Sequence, residues 1–142
     1  LTEIDFAYIA GMIDGEGTIT LTRTHPNQFR TPVLSLSSTT PELLLPAQEA
    51  FGGRVQTKKA SKAHHAIPYE WRLRGHAALR AIERLLPYLR HPEKARRAKL
   101  LLGNYNRVTV RNGKYTESQR HQRLLFESEF LGAPVQICVD KT

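Results

Sequence analysis

The residues with the clearest chemical potential stand near the start of the chain, in Asp14-Gly15-Glu16-Gly17. They close a stretch in which Phe6, Ala7, Ile9, Ala10 and Ile13 recur at helical spacing, so the carboxylates fall at a helix end. Ala10 and Gly11 are small, and Gly11-x-x-x-Gly15 repeats about one helical turn apart on one face, a spacing that lets two helix backbones approach closely. The pattern suits a helix packed on its own symmetry mate. Gly15 and Gly17 bracket Glu16, so the chain is expected to turn sharply there and leave the carboxylate at the helix end. Two such helices side by side would bring two Glu16 carboxylates together, and paired carboxylates aimed at a phosphate form a hard-oxygen site for Mg²⁺. An isolated Asp-Gly-Glu-Gly is usually a solvated turn, so this chemistry needs support from the rest of the chain.

Charge supplies part of it. Of 142 residues, 21 are Lys or Arg and 13 are Asp or Glu, a net of +8, and the excess is uneven. The first fifty residues hold two basic and six acidic side chains, whereas residues 54–99 hold thirteen basic and three acidic. A field of that kind points to a polyanionic partner, most often nucleic acid, although a ribosome-like basic protein has the same balance. The length suggests one domain over residues 1–142, and 40% hydrophobic residues suffice for a core. No apolar run approaches the ~18 residues of a membrane helix, and no basic-then-apolar leader opens the chain, so neither membrane nor secretory signal is expected. The lone Cys138 excludes an intramolecular disulfide framework and a Cys-based zinc site, and fits a reducing intracellular setting.

The elements that must position Glu16 can be read in order. Thr2 and Asp5 make a capping-box-like start to the first helix. Thr18-Ile19-Thr20-Leu21-Thr22 alternates strictly and predicts a half-buried strand, and Val33-Leu34-Ser35-Leu36-Ser37 predicts a second. Thr40-Pro41 opens a helix that runs to Phe51 with a kink expected at Pro46, and Gly52-Gly53 ends it. Strands follow at residues 54–58 and 69–74, and then helices at about 76–89 and from Pro92 or Glu93 to Leu102. Thr116-x-x-Gln119 caps a last helix to about Leu131. The strand pairs with helices between them argue for an α+β fold, an antiparallel sheet backed by helices.

Ile9 to Gly17, Ile-Ala-Gly-Met-Ile-Asp-Gly-Glu-Gly, resembles the nine-residue signature of LAGLIDADG homing endonucleases, and one copy is present. The element order also matches that family's αββαββα core over about residues 2–102, which leaves residues 103–142 as a C-terminal helical extension. The resemblance implies a site-specific double-strand DNA endonuclease. It would use Mg²⁺ or Mn²⁺, act as a homodimer on a long, roughly palindromic site, and leave 3′ overhangs. Glu16 and the carbonyl of Gly15 would then hold the metal, and a basic residue at the start of the helix after Leu89 would lie near the scissile phosphate. Lys94 matches that place best, with Arg96 and Arg97 as competitors; Ser38, Thr39, Thr40 and Glu42 compete for the residue that holds the attacking water's network. Ala10, Gly11, Ile13 and Asp14 are expected at the dimer interface. An intron or intein origin is implied, hence DNA of an organelle, an archaeon or a bacterium. Two alternatives keep the fold: a maturase that binds intron RNA, and a DNA-binding regulator without the chemistry.

Alternation turns Ile19, Leu21, Leu34, Leu36, Val55, Trp71 and Leu73 toward the helices. The opposite face then presents Thr18, Thr20, Thr22, Thr24, Ser35, Ser37, Arg54, Gln56, Lys58, Glu70, Arg72 and Arg74, a polar and basic set suited to base edges in a major groove. Arg23 has the wrong parity and is assigned to a frayed strand end. His64-His65, in a loop with Lys59 and Lys62, has no further ligand at zinc spacing and fits phosphate contact or solvent. Tyr105, Arg107, Arg111 and Lys114 read as a basic loop.

Overall fold

The computed structural model describes residues 1–58 and 66–132. Helix α1, Glu3–Glu16, begins at a capping box in which the Thr2 hydroxyl accepts from the Asp5 N–H and the Asp5 carboxylate accepts from the Thr2 N–H at 2.8 Å. Its inner face is Phe6, Ile9, Ala10 and Ile13. Strands β1, Gly17–Thr22, and β2, Thr31–Ser38, pair antiparallel, with Gly17 opposite Leu36 and Thr22 opposite Thr31. Strands β3, Arg54–Thr57, and β4, Tyr69–Arg74, pair likewise, and β4 pairs antiparallel with β2, so the sheet order is β1-β2-β4-β3. Helices α3, Gly75–Leu85, α4, Pro92–Asn104, and α5, Glu117–Leu131, complete an α+β fold. No described helix is long and apolar enough to cross a membrane.

Between β2 and β3 the chain departs from the single kinked helix expected. Pro41–Leu44 form a 3-10 turn, and α2, Leu45–Phe51, starts anew with Pro46 in its first turn. There the missing proline N–H has no helical partner to lose, so the ring divides the segment without bending it. Gly52 then stops α2 at a φ of 76°, and its carbonyl accepts from the Trp71 indole N–H at 2.8 Å.

One face of the sheet carries the core. Ile19, Leu21, Leu34, Leu36, Trp71 and Leu73 pack into the same cluster as Ile9 and Ile13 of α1, Ile82 and Leu85 of α3, and Leu101 of α4. Phe126 and Phe130 of α5 join this cluster, so the last helix is built into the core and not merely appended.

Gly17 explains its own identity differently from the sharp turn expected of it. Neither Gly15 nor Gly17 has a positive φ; Gly15 lies in α1 and Gly17 is extended at a φ of −97°. A Cβ on Gly17 would stand 2.7 Å from the Cα of Ile13, because β1 leaves directly over the last turn of α1. Gly17→Ala should therefore cost about 1–3 kcal/mol in urea unfolding, the usual range for an overpacked site. Gly15→Ala, whose Cβ would meet nothing within 4 Å among the described residues, should instead match or slightly exceed wild-type stability at high dilution. Equal stabilities for Gly17→Ala and wild type would contradict the packing account.

Candidate metal centre and nucleic-acid interface

Glu16 is the last residue of α1, exposed, and among the described residues its carboxylate makes neither an ion pair nor a hydrogen bond. Asp14, two residues before it, is fully engaged: its carboxylate accepts from the backbone N–H of Arg90 at 3.0 Å and of His91 at 3.0 Å. Those residues lead into α4, and Lys94 in its first turn reaches back so that its Nζ donates to the carbonyls of Ile13 at 2.8 Å and Asp14 at 2.9 Å. The end of α1 and the start of α4 thus grip each other reciprocally. The ammonium lies against the negative pole of the α1 dipole, an arrangement favourable by ~0.3–1 kcal/mol. It also stands two residues along the backbone from a free carboxylate.

The competitors of Lys94 are tied elsewhere. Arg96 binds Glu93 through two contacts of 2.7 Å and caps α5 by donating to the carbonyls of Glu129 and Phe130. Arg97 donates to Glu93 at 3.1 Å and to the Ile19 carbonyl at 2.9 Å, with its guanidinium 5.0 Å from the centre of the Phe130 ring. Hydrogen bonds from Arg96, reinforced by its charge and by Arg97, pull the Glu93 carboxyl down to about 2. Of the residues weighed for the water network, Ser38 accepts from the Thr40 N–H at 3.0 Å, and Thr39, Thr40 and Glu42 are exposed.

The fold divides the four residues expected at an interface on α1. Ala10 and Ile13 are both 0% exposed within the chain's own core, and Asp14 is occupied by Arg90 and His91. Only Gly11 of the four lies on the open face, which it shares with Ile4 (80% exposed), Ala7, Tyr8 (47%) and Gly15. The apolar side of α1 is consumed by the sheet, so the small-residue side points outward. A Cβ added to Gly11 or Gly15 would meet nothing within 4 Å.

On the outer face of the sheet the registers assemble side chains from distant parts of the chain into rows. Thr18, Ser35, Arg72 and Arg54 form one row across all four strands. Ser37, Glu70 and Gln56 form the row nearest the end of α1, and the Lys58 ammonium stands 3.5 Å from the Ser37 hydroxyl. Thr20, Val33 and Arg74 form the next row outward, with Thr22 at the strand end. Thr24 lies beyond β1 in an exposed loop, as does Arg23. Val33 has the parity of this face, yet it is fully buried outside the main core cluster, a member the polar reading passed over. Among the described residues, the buried Nε–H of Arg72 has no acceptor and the Thr22 hydroxyl has no partner. An unsatisfied buried donor costs about 1–3 kcal/mol, which an arriving acceptor would recover.

One expectation finds another outcome. Tyr105 is buried against Phe126 and does not belong to an exposed basic loop, whereas Arg107, Arg111 and Lys114 are exposed. Lys59, Lys62, His64 and His65 lie outside the described residues, as does Cys138. No group of three His, Cys, Asp or Glu that could hold a metal within one chain occurs among the described residues.

No family model and no curated protein matches the chain. Solved structures do, and the fold is that of the LAGLIDADG homing endonucleases. The homing endonuclease I-CvuI, solved in complex with its target in the presence of calcium, is 22% identical over 99% of this chain and 85% of its own, with a TM-score of 0.63. The homing endonuclease I-TnaI is 17% identical over 91% of this chain and 87% of its own, with a TM-score of 0.57. The LAGLIDADG homing endonuclease I-GzeII, in complex with a DNA target, is 13% identical over 95% of this chain, with a TM-score of 0.68; this chain spans 48% of it.

Proposed function

We propose that two copies of this chain form a metal-dependent, site-specific double-strand DNA endonuclease. The observation that carries the reading is the end of α1: an exposed Glu16, unpaired among the described residues, at the tip of a helix whose outward face holds Gly11 and Gly15 where no described residue would crowd a Cβ. Each helical glycine costs about 1 kcal/mol relative to alanine, so two on an open face make sense if a second helix is to lie against them. The length relation supports the same pairing, since I-GzeII is about twice this chain's span.

Pairing α1 with its mate would bring two Glu16 carboxylates to one place, each on a helix end whose Ile13 and Asp14 carbonyls a Lys94 ammonium caps. Carboxylate, backbone carbonyl at Gly15 and DNA phosphate oxygens are the hard donors that Mg²⁺ or Mn²⁺ selects. One chain alone lacks enough of them among its described residues, which fits a site completed by the partner and the substrate. With Glu16 and the Gly15 carbonyl as its ligands, a bound divalent cation would supply Lewis-acid polarisation of the scissile phosphate and a lowered pKa for the attacking water. Glu16 holds the charge balance of the site, and Lys94 places a cation fixed by two carbonyls near the developing phosphate charge. The outer rows of the sheet would lie in the major groove, with Arg72 and Arg54 suited to guanine and Gln56 to adenine. The net charge of +8 supplies the backbone attraction.

The direct test is incubation with a library of cleavable DNA duplexes, with Mg²⁺ or with chelator. A roughly palindromic subset should be cut on both strands only with the metal. Selective binding with no cut product would replace the enzyme by a regulator of the same fold. The dimer has a separate check. Gly11→Val should abolish the dimer in sedimentation while leaving thermal stability at high dilution within about 0.5 kcal/mol, because among the described residues a Cβ at this position meets nothing within 4 Å. A wild-type monomer that cuts DNA as a monomer would remove the pairing from the mechanism.

A further inference from the structure

Where α5 meets the foot of the β1–β2 loop, two charges are buried. Arg123 and Glu127 stand one turn apart on α5 and are 1% and 3% exposed. The Glu127 carboxylate accepts from the Arg30 backbone N–H, the Arg30 guanidinium and Arg123 Nε, each at 3.1 Å. The Arg123 fork donates onward to the Arg30 carbonyl, to the Thr109 hydroxyl at 2.6 Å and to the Tyr115 hydroxyl at 3.4 Å. Its guanidinium carbon stands 4.8 Å from the Tyr105 ring centre and 5.2 Å from that of Phe29.

An apolar pair of similar volume would hold α5 to the sheet at least as well, because burying two ions is expensive. What an apolar pair could not do is hold a backbone in one direction. These side chains bind both the N–H and the C=O of Arg30, the residue just before β2, outside any strand ladder. The loop it anchors leaves β1 after Thr22, and its residues Arg23, His25, Asn27 and Gln28 are exposed. Among the described residues the loop's own backbone makes a single hydrogen bond, from the Gln28 N–H to the His25 carbonyl at 3.1 Å. A segment with so little internal structure takes its direction from its anchors. It extends beyond Thr22 and Thr31, at the end of β1 and β2 away from Glu16.

We propose that Arg123 and Glu127 are positioning residues for DNA selectivity. By clamping Arg30 they aim the loop of residues 23–28 at the outer end of each half-site, so that the C-terminal helix governs base preference there. The inference rests on the DNA-binding reading above, and one arm of its test is independent of DNA. Glu127→Gln keeps the volume and one acceptor but loses the charge, whereas Arg30→Met loses only the side-chain arm and keeps both backbone contacts. In the free protein, amide hydrogen exchange over residues 23–31 should quicken about tenfold in Glu127→Gln and clearly less in Arg30→Met, with β4 unchanged in both. Unchanged exchange in that segment overturns the clamp whatever the protein does with DNA. Against a randomised DNA pool, Glu127→Gln should lose about tenfold of its preference at the outermost positions and keep its inner preference and salt dependence. Uniform loss at every position, or none, overturns the selectivity role. Arg30→Met, with the backbone contacts intact, should show the same outer-end loss in weaker form if Glu127→Gln does not fold. A wild-type protein with no preference among sequences overturns the DNA reading itself, and the exchange result still decides the clamp.

Discussion

Glu16→Gln should abolish cleavage, lowering the single-turnover rate about a thousandfold or more, a barrier change of about 4 kcal/mol. Specific DNA binding should stay within about tenfold, because one carboxylate adds little to an interface dominated by phosphate and base contacts. Stability should not change beyond about 0.5 kcal/mol, since the exposed Glu16 carboxylate makes no ion pair or hydrogen bond among the described residues. That combination of lost rate, kept binding and kept fold distinguishes a metal-holding carboxylate from a packing residue. Near-normal cutting with Mg²⁺ by the glutamine variant would refute the assignment.

Lys94→Met should show a mixed signature, because the structure gives that ammonium two tasks. It caps the carbonyls of Ile13 and Asp14, and unlike Arg96 and Arg97 it is not committed to Glu93. Loss of the cap should cost about 1 kcal/mol in urea unfolding. Loss of the cation near the developing phosphate charge should slow single-turnover cleavage about a hundredfold, more than the fall in binding. Lys94→Arg should recover part of the rate if charge is what matters, although its fork fits two converging carbonyls less well than a compact ammonium. A destabilised Lys94→Met that cuts at the wild-type rate would reduce Lys94 to a cap.

The elements were legible because their signals are local. The Thr2–Asp5 box, the alternation of β1 and the Thr116–Gln119 box each act within a few residues, and each appears where the pattern puts it. Pro46 misled because the same ring that kinks a helix interior is harmless in a first turn, and which of these applies depends on where the preceding 3-10 turn ends. His64 and His65 fall outside the described residues.

By itself the sequence determined the order of helices and strands, the polar and apolar sides of the sheet, and the placement of an acidic Glu16 at a helix end bracketed by glycines. These follow from periodicities of 2 and 3.6 residues and from caps, all properties of neighbours along the chain. Only the tertiary structure decided which side of α1 is free, turning Ala10 and Ile13 inward and Gly11 outward, since both sides carry small or apolar residues until the sheet covers one. Only packing separated Lys94 from Arg96 and Arg97, because the carbonyls and carboxylate that claim each cation come from α1, β1, α4 and α5. The need for glycine at position 17 was equally invisible in the chain: it arises from β1 passing 2.7 Å, measured from a would-be Cβ, over the Cα of Ile13, a contact set by how strand and helix meet.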